Sequence, residues 1–216
     1  KPTLDPEVFA RIHRLIAGRT DLVIQISTGG RAGMDPEARA AAVRRIGPEM
    51  ASLTTGSMNF PDRVYANPFS VVEYLASAMV EAGTKPEMEI FEAGMIANAL
   101  LLVDKGLAVP PLHFDFVLGS RGSLPATPKN LLHLSESIPP GSTWTVAGIG
   151  RWQLPMAVLA IIMGGHVRVG LEDNVYYRKG EVATNEQLVA RVARIAAELG
   201  RPVATADEAR QILGLT

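Results

Sequence analysis

The chain has 216 residues, of which 47% are hydrophobic and 20% are charged, and this composition is too apolar for a disordered protein. Its length suits one large α/β domain or two small ones. Twenty-one basic residues against 22 acidic ones leave a net charge of −1, so no global field favours a nucleic acid as partner. The absence of cysteine excludes a disulfide scaffold, a thiolate zinc site and a cysteine nucleophile.

Membrane insertion and export are both unexpected from the apolar pattern. The most apolar stretch, residues 154–163, is about ten residues long, whereas a bilayer span needs roughly 20. No basic segment followed by an apolar one opens the chain. We therefore expect a cytoplasmic protein with small-molecule partners.

In chain order, short apolar runs bounded by glycine or proline alternate with helical patterns. The predicted strands are residues 22–27, 50–55, 87–91, 113–118, 144–149 and 166–172. The predicted helices are residues 5–17, 36–46, 68–81, 93–105, 128–137, 154–163 and 186–199, with a short last helix from residue 207. This alternation predicts a parallel sheet in a single domain over residues 1–216, because parallel neighbours need a long and usually helical crossover.

Polar residues at alternating strand positions favour a closed (βα)8 TIM barrel over an open doubly wound sheet. They recur as the pairs Ser52 and Thr54, Glu87 and Glu89, His113 and Asp115, and Arg168 and Glu172. One side chain in two can then face an interior that becomes polar towards the catalytic mouth. Because six strands are two fewer than a barrel needs, we expect the first two strands to lie before Lys1, which makes this chain strands 3 to 8.

The strongest cluster of charged residues lies in the segment 164–174. With a side-chain period of two, Arg168 and Glu172 share one face of a strand, and Asp173 follows directly. A guanidinium can hold and orient one carboxylate as a base, and the other carboxylate is then free to bind a divalent cation. The alternative is a structural one, a buried arginine–glutamate pair that closes the last strand.

Hydroxyl groups and glycines end two neighbouring strands. Ser27 and Thr28 run into Gly29 and Gly30, and the segment 52–60 repeats this arrangement one unit later. Exposed backbone N–H groups and hydroxyls suit a carboxylate or phosphate. An ordinary glycine turn is the alternative for the first segment, and the repetition favours a shared anion pocket.

Carboxylates also occupy the third predicted strand, where Glu87 and Glu89 share a face. We select Glu89 as the site residue, because Glu87 lies deeper and has an alternative role as the partner of His113 or Arg168. His113 and Asp115 come early in their strand, so we interpret His113 as a core histidine with satisfied hydrogen bonds.

Glycine-rich loops at residues 119–123 and 148–152 match neither a dinucleotide fingerprint nor a P-loop. They could still hold phosphates, such as those of a coenzyme A tail, through backbone N–H groups and Arg121 or Arg151. Tight βα turns explain the glycines equally well. We find no defensible Ser-His-Asp order.

The segments 27–30, 48–53, 56–60, 85–91 and 165–174, in this order, resemble the β-keto acid cleavage enzymes, and the resemblance runs the whole length. It implies a TIM-barrel, zinc-dependent acyltransferase, in homotetrameric form, that converts a β-keto acid and acetyl-CoA to acetoacetate and a new acyl-CoA. By motif, Glu172 resembles the carboxylate zinc ligand, and Arg168 with Asp173 resembles the proton-transfer dyad. The family's two zinc-binding histidines lie in a His-x-His element that we expect before Lys1.

The same resemblance assigns the substrate contacts. Ser27, Gly30 and Thr54 would hold the acetoacetate-like carboxylate and keto group, and Glu89 would face the variable end, where a carboxylate could favour a cationic substrate. Two other functions remain open: a metal-dependent keto-acid aldolase or decarboxylase that needs no CoA, and a non-catalytic barrel that binds an acidic metabolite.

Overall fold

The computed structural model describes residues 3–30 and 34–215. The helices are α1 (Pro6–Ala17), α2 (Pro36–Ile46), α3 (Phe69–Glu81), α4 (Gly94–Asp104), α5 (Pro128–Ser137), α6 (Gln153–Met163), α7 (Asn185–Glu198) and α8 (Ala206–Leu213). The strands are β1 (Gln25–Ser27), β2 (Met50–Thr54), β3 (Met58–Phe60), β4 (Arg63–Tyr65), β5 (Lys85–Ile90), β6 (His113–Leu118), β7 (Thr143–Gly148), β8 (His166–Arg168), β9 (Tyr176–Arg178) and β10 (Glu181–Val182). One 3-10 turn, Gly150–Trp152, precedes α6.

The prediction of a parallel sheet in an α/β fold is confirmed. Six strands pair in the order β1-β2-β5-β6-β7-β8, and each pairing is parallel. The outward side chains of β6, such as Phe114 and Phe116, are fully buried in the core between sheet and helices. Five of the eight described helices, α1, α2, α5, α7 and α8, begin after a residue whose side chain accepts an N–H group of the first turn, as Asp35 accepts from Glu37 at the start of α2.

Contacts between non-neighbouring strands show that the parallel sheet is strongly curled. Gln25 of β1 donates a 2.5 Å hydrogen bond to Glu87 of β5 across the intervening strand. Arg168 of β8 lies 3.5 Å from Glu89 of β5, although a flat sheet would separate these strands by about 14 Å. The polar inner side chains therefore converge on the concave face, as in half of a barrel.

Two features of the fold differ from the sequence prediction. The strand predicted for residues 166–172 ends at Arg168, because the backbone N–H groups of Asp173 and Asn174 both bond to the Gly170 carbonyl and close a turn. Two small antiparallel hairpins, β3–β4 and β9–β10, were not predicted. Over the residues that the structure describes, no helix combines the length and apolarity needed to cross a bilayer.

Candidate active site

A cavity of about 670 Å³ lies at the carboxyl ends of the parallel strands. Six of the seven predicted site residues line it, namely Ser27, Gly30, Glu89, Arg168, Glu172 and Asp173. Thr54, the seventh, lies just beneath, where its hydroxyl donates a 2.5 Å hydrogen bond to Glu89. The curled sheet thus brings together residues that are up to 146 positions apart in the chain.

Arg168 is the central cation of this cavity. Its Nε and Nη2 atoms donate to the two carboxylate oxygens of Asp173, both at 3.0 Å. Its third nitrogen, Nη1, donates at 3.0 Å to Asp115 and lies 3.5 Å from Glu89. Burial acts to lower the pKa of Arg168, but the charges of Asp115 and Asp173 outweigh it and raise that pKa, so the guanidinium stays protonated.

Asp173 has the properties of a general base held in one orientation. Its side chain is only 4% exposed, and the two parallel hydrogen bonds from Arg168 fix the plane of its carboxylate. Burial raises the pKa of Asp173 above its ordinary value of 3.8, against the opposing effect of the guanidinium. A carboxylate whose pKa is raised is the stronger base, and each oxygen keeps a lone pair for a substrate proton.

Glu89 is a second shielded carboxylate in the cavity. Burial raises its pKa, and the hydrogen bond from Thr54 acts in the opposite direction. In the register of the sheet, Thr54 of β2 faces Glu89 of β5, which faces Asp115 of β6. The hydroxyl of Thr54 is therefore engaged with Glu89 in this structure.

Asp115 belongs to the same cluster, although sequence reasoning left it out of the site. It is fully buried, its Oδ2 accepts from Arg168, and its Oδ1 has no partner among residues 3–30 and 34–215. Burial and the charge of Glu87 raise the pKa of Asp115 well above its ordinary value. The sequence shows that Asp115 alternates with His113 along one strand. It does not show that the long Arg168 side chain extends across β7 to contact Asp115 on β6.

The loop that follows β1 presents Ser27 and Gly30 to the cavity. A buried arginine, Arg39, supports this loop by donating to the carbonyl of Thr28 at 2.8 Å. A side chain at position 30 would begin 3.0 Å from the Arg39 Cδ atom, so any residue other than glycine would push the Arg39 side chain aside by a few tenths of an ångström. The same guanidinium donates to Tyr65 and Asn67, which ties the loop to the segment around the β3–β4 hairpin.

Glu172 lies at the rim rather than on the strand face where the sequence placed it. Because β8 ends at Arg168, Glu172 belongs to the turn that follows, and its side chain is 86% exposed at 3.4 Å from Arg168. Among residues 3–30 and 34–215, no group of three or more His, Cys, Asp or Glu side chains could hold a metal ion. The described residues therefore offer Glu172 as one candidate ligand and no complete metal site.

A shielded, arginine-held carboxylate beside a cavity at the end of a parallel α/β sheet is an arrangement typical of acid–base enzymes. A model of the β-keto acid cleavage enzyme family matches residues 1–215. The chain belongs to this family, and the predictions of the family and of an enzyme are both confirmed.

Named relatives agree with this assignment. The chain is 49% identical over 217 residues to a 3-keto-5-aminohexanoate cleavage enzyme from Fusobacterium nucleatum, a match that covers 99% of this chain and 79% of that protein. It is 42% identical over 219 residues to a 3-oxoadipate:acetyl-CoA acetyltransferase from Cupriavidus necator, with 99% and 76% covered. The transferases named among the relatives use acetyl-CoA, as the sequence predicted for this family.

A solved structure supports the fold. The apo structure of ObcA matches 98% of this chain with a TM-score of 0.79 at 21% identity. The chain spans about half of that protein, 55% of its length. At this identity the likeness describes the fold alone.

Proposed function

We propose that this protein transfers the acyl part of a β-keto acid to coenzyme A, with acetyl-CoA as the second substrate and acetoacetate as the other product. The observation that carries the proposal is the Arg168–Asp173 pair, a base held by two 3.0 Å hydrogen bonds at the wall of a cavity. Family membership supplies the class of substrate.

The proposed reaction begins when Asp173 takes a proton from the α-carbon of the β-keto acid. The carbanion attacks the thioester carbonyl carbon of acetyl-CoA, and the CoA thiolate leaves. This thiolate then attacks the original β-keto carbon, and the bond between that carbon and the α-carbon breaks. An acyl-CoA forms, and the acetoacetate carbanion recovers the proton from Asp173, so atoms and charges balance.

Binding of the substrate carboxylate is proposed for Ser27, Gly30 and Thr54. Support comes from the first two, which line the cavity that also holds Asp173. A carboxylate there would accept hydrogen bonds from the Ser27 hydroxyl and from backbone N–H groups. Fixing the carboxylate orients the α-carbon towards the base, and orientation of this kind is worth several kcal/mol of barrier.

Glu89 is proposed to set the preference for the variable end of the substrate. It lines the cavity, and Arg168, at 3.5 Å, offsets part of its charge. A cationic substituent would pair with this carboxylate. In the variant Glu89→Gln we expect KM to rise roughly tenfold for an amino β-keto acid, the effect of about 1.4 kcal/mol, and to change little for a neutral one. Equal changes for both substrates would remove this assignment.

Zinc dependence is also proposed, with Glu172 as one ligand. Its support is the family resemblance and the exposed carboxylate of Glu172 at the cavity rim. Because the described residues do not form a complete metal site, none of the steps above is assigned to the metal. Metal analysis of the purified protein, with Glu172→Ala as the variant that should lose the metal, tests this part.

The remaining proposals concern the architecture and the setting. We propose that the six parallel strands are strands 3 to 8 of a (βα)8 barrel, that the protein is a homotetramer, and that it works in the cytoplasm, where CoA thioesters occur. The curled sheet supports the first of these. Light scattering coupled to size exclusion tests the second.

The activity is tested by following consumption of a β-keto acid with and without acetyl-CoA. We expect consumption only when acetyl-CoA is present, with one acyl-CoA formed for each acetoacetate. Consumption in buffer alone would indicate instead an aldolase or decarboxylase that needs no CoA.

A further inference from the structure

A second cavity, of about 830 Å³, lies beside the first and has no role in the steps above. It lies between the β9–β10 hairpin, the first residues of α6 and one side of α7. We propose that this cavity binds the phosphate-bearing nucleotide end of the CoA thioester. The proposal rests on the proposed function, since acetyl-CoA is the ligand that reaches both cavities.

The charge of the lining residues is the first argument. Four cations line the second cavity, namely Arg151, Arg178, Lys179 and Arg191. No carboxylate is among the described residues that line it, although the chain as a whole carries a net charge of −1. Arg178 pairs with Glu181, whereas the other three form no ion pair within the described part of the chain. A cluster of unpaired cations suits a ligand with several phosphate groups.

The shape of the cavity wall is the second argument. Arg191 lies over the ring of Tyr177 at 4.4 Å and donates to its backbone carbonyl at 2.6 Å, so the guanidinium is held in place before any ligand binds. Apolar side chains form another part of the wall, including Leu154, Pro155 and Leu188. A nucleotide has a flat apolar base and charged phosphates, and this wall offers a surface for each.

The position of the cavity is the third argument. Ile149 and Asp173 line the active-site cavity, and the residues that directly follow them, Gly150 and Asn174, line the second one. The Gly150 N–H group donates at 2.7 Å to the Asp173 carbonyl, so a single pair of bonded segments separates the two cavities. A ligand with its phosphates in the second cavity could therefore extend a flexible arm over this wall to Asp173. The loops after the last two strands of TIM barrels are frequent phosphate sites, and both loops contribute here.

The double variant Arg151→Gln/Lys179→Gln tests the proposal, because both side chains are exposed and, within the described residues, neither takes part in the hydrogen bonds or ion pairs of Arg168 and Asp173. We expect KM for acetyl-CoA to rise roughly tenfold or more, since contacts to charged groups are worth about 1.5–3 kcal/mol, while KM for the β-keto acid stays the same. S-acetylpantetheine, which lacks the nucleotide, should be used equally by the variant and the wild type. The matched control is Arg11→Gln/Lys129→Gln, which removes one arginine and one lysine at exposed positions outside both cavities.

A binding measurement separates failure of this proposal from failure of the proposed function. Calorimetry with adenosine 3′,5′-bisphosphate, which keeps the adenosine and two of the three phosphates of CoA but lacks the arm, requires no turnover. Binding by the wild type and the control, and its loss in the double variant, would support the cavity even for a protein without β-keto acid activity. An unchanged KM for acetyl-CoA in the double variant, or no bisphosphate binding by the wild type, would overturn the proposal.

Discussion

Two groups of polar side chains share the inside of the curled sheet, and they differ in how completely they are paired. At the floor, His113 is bonded through Nδ1 to Thr143 at 2.8 Å and through Nε2 to Thr145 at 3.2 Å, and Glu87 lies 3.2 Å from the same ring. At the mouth, Arg168 lies within 3.5 Å of four carboxylates, and one oxygen of Asp115 has no partner in the described part of the chain. The floor is a closed hydrogen-bond network, whereas the mouth keeps excess acceptors beside a cavity.

One sequence pattern, polar residues at alternating strand positions, therefore has two physical roles. The floor residues are buried and mutually bonded, and the charge and hydrogen bond of His113 offset the burial of Glu87 and lower its pKa. At the mouth, burial raises the pKa values of Glu89, Asp115 and Asp173. A carboxylate whose pKa is raised is a stronger base, and a base beside a cavity is what acid–base catalysis requires. Substitutions at the mouth should therefore affect turnover, and substitutions at the floor should affect stability.

The largest effect is expected for Asp173→Asn. Asparagine keeps the shape of the side chain but cannot accept a proton, so kcat should fall on the order of 10²–10⁴-fold, the usual contribution of a general base. Steady-state kinetics with acetyl-CoA measures this, and circular dichroism checks that the variant is folded. Turnover close to that of the wild type would remove Asp173 from the mechanism.

A smaller loss is expected for Arg168→Lys. Lysine retains the charge but not the fork that holds both oxygens of Asp173, so the base is no longer oriented. We expect kcat to fall on the order of 10²-fold, as misplacement of a catalytic group by about 1 Å can do. If the lysine variant matched the wild type, the charge alone would be important and the geometry would not.

The variant Thr145→Val tests whether the floor residues stabilise the fold without a role in turnover. Valine has nearly the same shape but removes the hydroxyl bonded to His113 Nε2, and this atom keeps Glu87 at 3.2 Å, so the free energy of unfolding should fall by about 0.5–1.5 kcal/mol, the net worth of one hydrogen bond. Urea denaturation measures the loss, and kcat should remain within about twofold of the wild type, because the side chain is outside the cavity. A large fall in kcat with unchanged stability would contradict the division between floor and mouth.

The smallest effect is a change in the pH dependence of stability for Asp115→Asn. The pKa of Asp115 is raised in the folded protein, so its contribution is complete below the unfolded-state pKa and is lost as pH rises through the folded-state value. Removing this group should flatten the decline in the free energy of unfolding above about pH 4, where aspartate ordinarily titrates. Urea denaturation at a series of pH values measures the slope, and an identical slope in both proteins would mean that Asp115 is not perturbed.

Much of the fold could be predicted, because glycine, proline and capping residues mark its boundaries. Helices α2 and α5 and strand β6 have the predicted limits. The two hairpins escaped prediction because their strands have at most three residues, too few to show an alternating pattern. The last parallel strand was predicted too long because a period of two was extended past Arg168 into a turn.

Site residues could be predicted where the strand register determines their position. They could not be predicted where a contact depends on the length of a side chain. Glu89 and Arg168 face inwards at the carboxyl ends of their strands, so their meeting follows from alternation and curvature. The contact of Arg168 with Asp115 depends on a long side chain that extends across β7 to β6. Spacing along the chain does not reveal this contact. Arg39 was missed for a similar reason, because it lies on α2 and supports the Ser27–Gly30 loop from behind.

The central claim is tested most directly by the fate of labelled acetyl groups. The protein is incubated with an unlabelled β-keto acid and acetyl-CoA carrying ¹³C in both acetyl carbons, and the products are followed by NMR. The account predicts acetoacetate labelled at its methyl and keto carbons, with the methylene and carboxylate unlabelled, together with an unlabelled acyl-CoA. Label in free acetate, or acetoacetate without label, would contradict acyl transfer at the Arg168–Asp173 site.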